Sequence, residues 1–188
     1  MENEATFIRE LINPRQKDKA FKKLLDLYQE RLYWHIRKIV ITHENADDVL
    51  QNTFLRIYKS LPKFKQNSSL NTWMYRIAYN ESLRFLDKNK LKYKFSIDDI
   101  TNNYINCLTS DSYFEGNQIQ ERLHQILSEL PDKQRQIFVM KYYDDLKFRE
   151  IASILKIKEG TLKSSYYNTV RHIEKKVVEV ELLTKSKV

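Results

Sequence analysis

Residues 146–176 read LKFREIASILKIKEGTLKSSYYNTVRHIEKK, and two helical patterns separated by a short break decide the fold of this part of the chain. The first pattern is a short amphipathic helix built on Phe148, Ile151, Ala152 and Leu155. A tight connection over 156–158 turns Ile157 inward, and a second amphipathic helix begins at Glu159 and uses Leu162, Tyr166, Val170 and Ile173. This layout predicts a helix-turn-helix, in which Ala152 is small because the second helix packs against it.

The outward side of the second predicted helix is polar. Its residues are Thr161, Lys163, Ser164, Ser165, Asn168 and, further along, Arg171. In a helix-turn-helix the N-terminal residues of the second helix face base edges in the major groove, so these residues are candidate DNA contacts. A helical hairpin without a role in DNA binding stays open as the alternative.

The positive charge of the chain is concentrated in one window. The formal net charge is +8, and residues 56–94 contain ten Lys and Arg against two acids, Glu81 and Asp87. Acids and bases balance on both sides of that window. The whole excess therefore lies in one segment, as expected for a surface that follows a phosphate backbone.

The same window is rich in aromatic residues. Residues 63–80 read KFKQNSSLNTWMYRIAYN, with Trp73, Tyr75 and Tyr79 beside Arg76 and no acid. Aromatic rings stack on unpaired bases while cations follow phosphates, so the pattern favours a nucleic-acid surface. The alternative is an ordinary packed helix whose lysines are solvated and whose rings, Trp73 above all, belong to the core.

Helical periodicity runs through most of the chain, and no strand-type alternation is long enough to compete. The fold class is therefore predicted to be all-α, with Asn45 as a plausible N-cap of the second helix and Ser68 or Ser69 as the cap of the third. Residues 90–117 are rich in Asn, Asp, Ser and Thr without a sustained period. We expect two small helical domains, 1–89 and 118–188, joined by a flexible linker over 90–117.

The sequence lacks the residues that disulfide-stabilised, metal-binding and nucleotide-binding proteins require. The single cysteine, Cys107, excludes an internal disulfide framework and argues against a thiolate zinc site. The two glycines fit no phosphate-binding loop, and the histidines are too scattered for a metal motif (His35, His43, His124, His172). We therefore predict a non-enzymatic protein with no cofactor and no metal. The absence of a signal-peptide pattern or long apolar run predicts a cytoplasmic protein.

Three stretches, in this order, resemble the extracytoplasmic-function (ECF) sigma factors, the small two-domain members of the bacterial sigma-70 family. They are ADDVLQNTFLRIYKSL (46–61), FKQNSSLNTWMYRIAYNESLRFLDK (64–88) and FREIASILKIKEGTLKSS (148–165). They resemble the family's polymerase-docking helix, promoter-melting segment and minus-35-reading helix-turn-helix. The resemblance covers roughly 18–90 and 118–176.

The resemblance implies three sets of site residues. For binding to core polymerase they are Asp47, Asp48, Gln51, Asn52, Phe54, Arg56 and Tyr58. For the minus-10 element, where a non-template base is flipped out, they are Asn67, Ser68, Ser69, Leu70, Trp73, Tyr75, Arg76, Tyr79, Asn80 and Arg84. For the minus-35 element they are Arg149, Thr161, Lys163, Ser164, Ser165, Asn168 and Arg171. Within the second set, we expect the loop and Asn80 to contact the base and Arg76 and Arg84 to contact phosphates, whereas the acids at 47 and 48 have the alternative role of N-terminal helix charges.

The resemblance also implies the partners. They are bacterial core RNA polymerase, at its clamp and flap, promoter DNA as duplex and as melted non-template strand, and an anti-sigma factor that clamps both domains. Two departures stand out. The chain has Gln66 and Asn67 where the family usually has a glycine, and Ser165 and Asn168 where arginines are common in the recognition helix.

Two rival functions remain at this stage. A stand-alone helix-turn-helix regulator would bind duplex DNA without polymerase, but it leaves the aromatic window and the segment 46–61 without a role. A nucleic-acid-processing enzyme would need a cluster of acids or histidines, and the basic window offers only Glu81 and Asp87, which lie on different helix faces.

Overall fold

The computed structural model describes residues 4–40, 42–93, 123, 125–127 and 129–185; for 90–93 and 178–185 it describes the backbone alone. The chain divides into two compact units, Met1–Tyr93 and Lys94–Val188. Every regular element in the described residues is helical, which confirms the predicted all-α fold class.

The described residues of the first unit form four α-helices. They are α1 (Glu4–Ile12), α2 (Lys17–Val40), α3 (His43–Ser60) and α4 (Leu70–Tyr93), with a short 3-10 turn at Leu61–Lys63. Pro62 lies in that turn and follows the end of α3, since proline is not tolerated in a helix interior. α4 continues to Tyr93, beyond residue 89, where the first domain was predicted to end. The rest of the predicted linker, with Cys107, lies outside the described residues.

The core of the first unit lies where α2, α3 and α4 pack against one another. Each of the three helices contributes side chains that are at most 1% exposed: Leu24, Leu32 and Ile36 from α2, Val49 and Ile57 from α3, and Met74 from α4. Fully burying such a side chain contributes about 1.5–3 kcal/mol, so these residues hold the three helices together.

The start of α3 differs from the prediction. Its N-cap is Thr42, whose side-chain oxygen accepts a hydrogen bond from the backbone N–H of Asn45 at 3.2 Å. Asn45 is instead in the first turn, with its amide directed to the carbonyl oxygen of Val40 at 3.4 Å. The sequence offers two capping residue types close together, and the polypeptide turn after α2 selects the earlier one.

Helix α1 was not predicted. It is short, and it buries Ile8 and Leu11 while packing against α2. Isolated helices of this length are marginal in water, so α1 depends on that tertiary contact.

The second unit contains α5 (Asp132–Tyr142), α6 (Phe148–Leu155) and α7 (Glu159–Lys185). Helical residues among 123–129 precede them, and Pro131 is the N-cap of α5. The core of this unit combines Ile126, Leu127, Leu130, Phe138 and Ile173. In the part of the chain that the structure describes, no helix is long and apolar enough to cross a bilayer.

Candidate nucleic-acid interface

Helices α6 and α7 form the predicted helix-turn-helix. Lys156 ends α6 in the left-handed backbone conformation, with φ 57 and ψ 42. The backbone N–H of Ile157 then donates to the carbonyl oxygen of Ala152 at 3.1 Å, which closes the turn before α7 begins at Glu159. Left-handed geometry at a helix end usually belongs to glycine, and here a lysine adopts it.

The predicted upstream-DNA residues lie on the outer surface of this motif. Arg149, Thr161, Lys163, Ser164, Asn168 and Arg171 are exposed, and Ser165 is half-buried. On α7 the buried side is formed by Leu162, Thr169 and Ile173. The polar side of α7 is therefore open to solvent along its first turns.

Two of these side chains are already engaged at the start of α7. Nζ of Lys163 lies 2.7 Å from Oε1 of Glu159, and this hydrogen bond raises the pKa of Lys163. The hydroxyl of Ser164 donates to the carbonyl oxygen of Gly160 at 3.1 Å. Lys163 consequently stays protonated, and the Ser164 hydroxyl keeps its acceptor capacity for a ligand.

Tyr167 belongs to this surface and was missed by the sequence reasoning. It is 53% exposed and lies one turn from both Lys163 and Arg171. Its ring centroid is 6.1 Å from that of Phe148, at the start of α6. The available signal in the sequence was its spacing of four residues from both Lys163 and Arg171, which places the three side chains on one side of the helix.

The aromatic residues of α4 differ in how deeply they are buried. Tyr75 is 1% exposed, and its ring meets that of buried His35 edge-on at 4.9 Å. The prediction that Tyr75 contacts DNA is therefore wrong, because its ring is part of the core between α2 and α4. The same correction applies to the side chain of Leu70, which is 1% exposed.

The remaining residues of the α4 set share one side of the helix. Trp73, Arg76, Asn80 and Arg84 follow helical spacing; the first two are half-buried and the last two exposed. The Trp73 ring lies 4.7 Å from that of Phe64, at the start of the loop before α4. Tyr79 is half-buried beside this row.

The loop over 64–69 leads directly into the exposed side of α4. Gln66 has φ 56 and therefore adopts the left-handed backbone conformation in this loop. Asn67 is exposed and Ser68 half-buried. Ser69 caps α4 as predicted, since its hydroxyl oxygen accepts the N–H of Thr72 at 3.1 Å.

An open groove of about 690 Å³ lies between α2 and α3. Of the predicted polymerase-binding residues, those that line it are Asp47, Asp48, Gln51, Phe54 and Tyr58. Asn52 and Arg56 are exposed on α3 but do not line the groove. The structure adds residues that the sequence reasoning missed, chiefly Leu25 and Gln29 of α2 and Leu55 of α3.

Tyr58 is fixed at one end of that groove. Its hydroxyl donates to Oδ1 of Asp18 at 2.8 Å, and this hydrogen bond raises the pKa of Tyr58. Nζ of Lys17 lies 3.5 Å from the centre of its ring, while the ring of Phe21 packs edge-on at 5.0 Å. These contacts tie α3 to α2, so the shape of the groove is largely set before anything binds.

Family models match both units of the chain. The model described as Sigma-70 region 2 matches residues 24–91, and the one described as Sigma-70, region 4 matches 120–173. The chain belongs to the sigma-70 family. The two matches coincide with the groove and α4 in the first unit and with α5, α6 and the first half of α7 in the second.

Several curated relatives place the chain in the ECF group. It is 28% identical over 153 residues to the ECF RNA polymerase sigma factor SigW of Bacillus subtilis, covering 77% of this chain and 82% of the relative. It is 29% identical over 167 residues to the ECF RNA polymerase sigma-E factor of Escherichia coli, covering 85% and 87%. The chain is an RNA polymerase sigma factor that recognises promoters and initiates transcription.

Solved structures share the fold of this sigma factor. The sigma factor RpoE of Bartonella quintana, solved with the anti-sigma factor NepR, superposes with a TM-score of 0.67 at 20% identity, covering 85% of this chain and 97% of that one. CnrH, solved with the cytosolic domain of CnrY, gives a TM-score of 0.64 at 16% identity, covering 94% and 95%.

Sigma factors are non-catalytic initiation factors. Within the described ranges of this sigma factor, no three His, Cys, Asp or Glu side chains are grouped so that they could hold a metal ion. The outer surfaces of α4 and of α7, each in its own unit, offer cations, amides and hydroxyls. These groups contact the phosphates and base edges of nucleic acids without catalysing a reaction.

Proposed function

We propose that the two units of this sigma factor divide promoter recognition between them. The first unit, about residues 1–89, binds core polymerase and opens the minus-10 element, while the second, about 118–188, reads the minus-35 element. Residues 90–117 link the two units that carry out these tasks. The observation that carries this assignment is the row of Trp73, Asn80 and Arg84 on α4, which continues directly from the loop over 64–69.

Base capture is assigned to the loop and the adjacent side of α4. Extruding a base costs a few kcal/mol of stacking, and stacking on a ring returns about 1–3 kcal/mol. Asn67 and Asn80 are exposed and offer amides to the edge of the base, while the Phe64 and Trp73 rings form an apolar wall beside the loop. Arg76 and Arg84 follow the phosphates on the same side of α4.

Binding to the polymerase clamp is assigned to the α2–α3 groove. It combines apolar surface from Leu55 and Phe54 with the carboxylates of Asp47 and Asp48. Such a mixture suits a partner helix that presents both apolar and basic residues. Arg56 and Asn52 extend this surface along α3, outside the groove.

Reading of the minus-35 element is assigned to the exposed side of α7. Lys163, Asn168 and Tyr167 are placed to reach base edges, and Arg149 and Arg171 to reach phosphates. Because Ser165 and Asn168 replace arginines that are common in the family, the preferred upstream sequence is expected to differ from those of relatives.

An anti-sigma factor is a proposed partner, as the structural neighbour from Bartonella quintana was solved in complex with one. It would act in the cytoplasm by covering the polymerase-binding groove and the DNA-reading side of α7. It should therefore compete with core polymerase. A pull-down in which one sigma molecule holds both partners would contradict this occlusion.

Run-off transcription tests the proposed function. Purified bacterial core polymerase, fragmented genomic DNA and the full-length protein are combined, and RNA 5′ ends are mapped. New start sites that require the protein and share a two-part upstream motif are the expected result. Protection of duplex DNA by the protein alone, without new start sites, would favour a stand-alone regulator instead.

A further inference from the structure

The first turn of α4 is stabilised from outside its own segment. The Oε1 oxygen of Glu4, on α1, accepts a hydrogen bond from the backbone N–H of Leu70 at 2.8 Å. Leu70 is the first residue of α4 and follows Ser69. The two residues are 66 positions apart in sequence, so α1 reaches across the unit to the end of the loop.

Glu4 and Ser69 each accept a hydrogen bond from one of the free backbone N–H groups at the start of α4. The Ser69 hydroxyl oxygen accepts from the third residue of the helix, Thr72, and Glu4 accepts from the first. Backbone N–H groups at a helix start have no partner within the helix, and an acid there is favoured by the helix dipole. The first turn of α4 contains no acid, so Glu4 supplies the missing charge from α1.

The position of Glu4 is itself fixed by packing. Ile8 and Leu11 of α1 are buried, and α1 contacts both α2 and the 3-10 turn that precedes the loop. The Glu4 carboxylate also lies near Tyr28 of α2, whose pKa is raised chiefly by burial, with Arg31 opposing the rise and Glu4 adding to it. The carboxylate is therefore held where the loop ends.

We infer that Glu4 is a positioning residue for promoter opening, which fixes the loop over 64–69 by holding the Leu70 amide. This inference rests on the proposed role of that loop in capturing a base. The opposite end of the loop is held by Phe64, whose N–H donates to the carbonyl oxygen of Leu61 at 3.0 Å. With Glu4 in place both ends are fixed, and Asn67 is presented between them.

The inference assigns a role to a helix that the family models do not cover. The region 2 match begins at residue 24, inside α2, whereas α1 ends at Ile12. Holding of the loop by α1 is thus a property argued from this chain's own contacts.

The test compares Glu4→Ala and Glu4→Gln in full-length protein with core polymerase. The template is the strongest promoter from the run-off experiment, in two forms, one intact and one with an abasic site at the flipped non-template position. Glu4→Ala is expected to lower open-complex yield on the intact template by roughly fivefold, the factor that loss of one helix cap corresponds to. On the abasic template, where no base is captured, the same change should lower the yield by less than about twofold.

The conservative variant and a charge control complete the test. Glu4→Gln keeps an oxygen that can accept from Leu70, so it should retain most of the yield on the intact template. Glu10→Ala removes the same charge from α1 and should leave both yields unchanged. Thermal denaturation of each variant checks that the first unit is folded at the assay temperature.

Each outcome decides one question. An equal loss on both templates with Glu4→Ala would mean that Glu4 acts through stability alone and would overturn the inference. A loss with Asn67→Ala but none with Glu4→Ala would overturn it while the proposed function stands. If wild-type protein opens the abasic and intact templates equally, both the base-capture proposal and the inference fail.

Discussion

The Glu81 carboxylate of α4 lies 2.6 Å from Nε of Arg56 on α3, joining the helix assigned to polymerase binding with the helix assigned to DNA. The same carboxylate oxygen is 2.5 Å from Nη1 of Arg84. The side chain of Glu81 is 12% exposed, whereas both arginines expose more than half of theirs. The partly buried carboxylate of Glu81 thus partly neutralises the positive charge of both exposed arginines.

Replacing Glu81 with Gln should strengthen DNA binding by holoenzyme and make it more dependent on salt. With its acid neutralised, Arg84 is no longer paired with a carboxylate and attracts the phosphate that it contacts more strongly, so the slope of log affinity against log salt should steepen. Fluorescence anisotropy of a forked promoter fragment over a salt series measures this. Asp87→Asn, on the same helix, is the charge-matched control, and an equal change there would show that only net charge matters.

Replacing Arg84 with Ala should have the opposite effect. Loss of one phosphate contact weakens promoter opening and reduces the salt slope by about one. The same result is expected for Arg76→Ala. The exposed Lys19 of α2 provides the control as Lys19→Ala. Unchanged opening at every salt concentration, with the fold intact, would argue against placing these arginines on DNA.

Tyr75 is predicted to act on stability rather than on DNA. Removing its buried ring in Tyr75→Ala should lower the free energy of unfolding by about 3–5 kcal/mol, because a cavity is left beside His35. Tyr75→Phe should cost far less, since the ring remains. Urea denaturation measures both. If Tyr75→Ala leaves stability unchanged but abolishes promoter opening, the assignment of this ring to the core is wrong.

Leu55→Ser should weaken binding to core polymerase without unfolding the first unit. Leu55 is 52% exposed and lines the α2–α3 groove, so its loss removes apolar contact with a partner but little internal packing. A decrease in affinity of about fivefold, or about 1 kcal/mol, is expected for such an interface residue. Leu27→Ser is the matched control, since Leu27 is 62% exposed on α2 and does not line the groove. Equal effects of the two changes in a binding assay would contradict the assignment.

Asn168→Ala should change which upstream sequences are used rather than lower transcription uniformly. An amide that contacts a base edge contributes about 1–3 kcal/mol of discrimination against the wrong base. Transcription from a library randomised at the minus-35 element measures the preference, with Lys158→Ala as a control outside α7. An equal loss on every promoter would show a positioning contact in place of readout.

Periodicity was sufficient to predict the long helices and the helix-turn-helix, because each buries one continuous apolar stripe. Periodicity could not show which aromatic rings of α4 are buried in the core and which are accessible. Trp73 and Tyr75 are two residues apart and therefore point to different sides of the helix. Which side faces the core depends on α2, where His35 receives the Tyr75 ring, and that packing is a tertiary property.

The candidate sites were predicted unevenly for a similar reason. Polar residues of α7 were found because nearly all of them face solvent on one helix. The groove was found only in part, since Leu25 and Gln29 belong to α2, distant in sequence from the segment 46–61. The hydrogen bond from the Leu70 backbone N–H to Glu4 could not be predicted from local sequence, because the two residues are 66 positions apart.

The packing of α1 against α2 bears on how this protein can be shortened. A fragment that begins at residue 24, where the family match begins, would split α2 and lose α1 with its buried Ile8 and Leu11. Even a cut placed cleanly before Lys17 would uncover an apolar strip on α2 and free the first amide of α4. The smallest fragment that keeps the first unit intact is thus larger than the segment that the family model matches, and truncations should be designed from residue 4 onward.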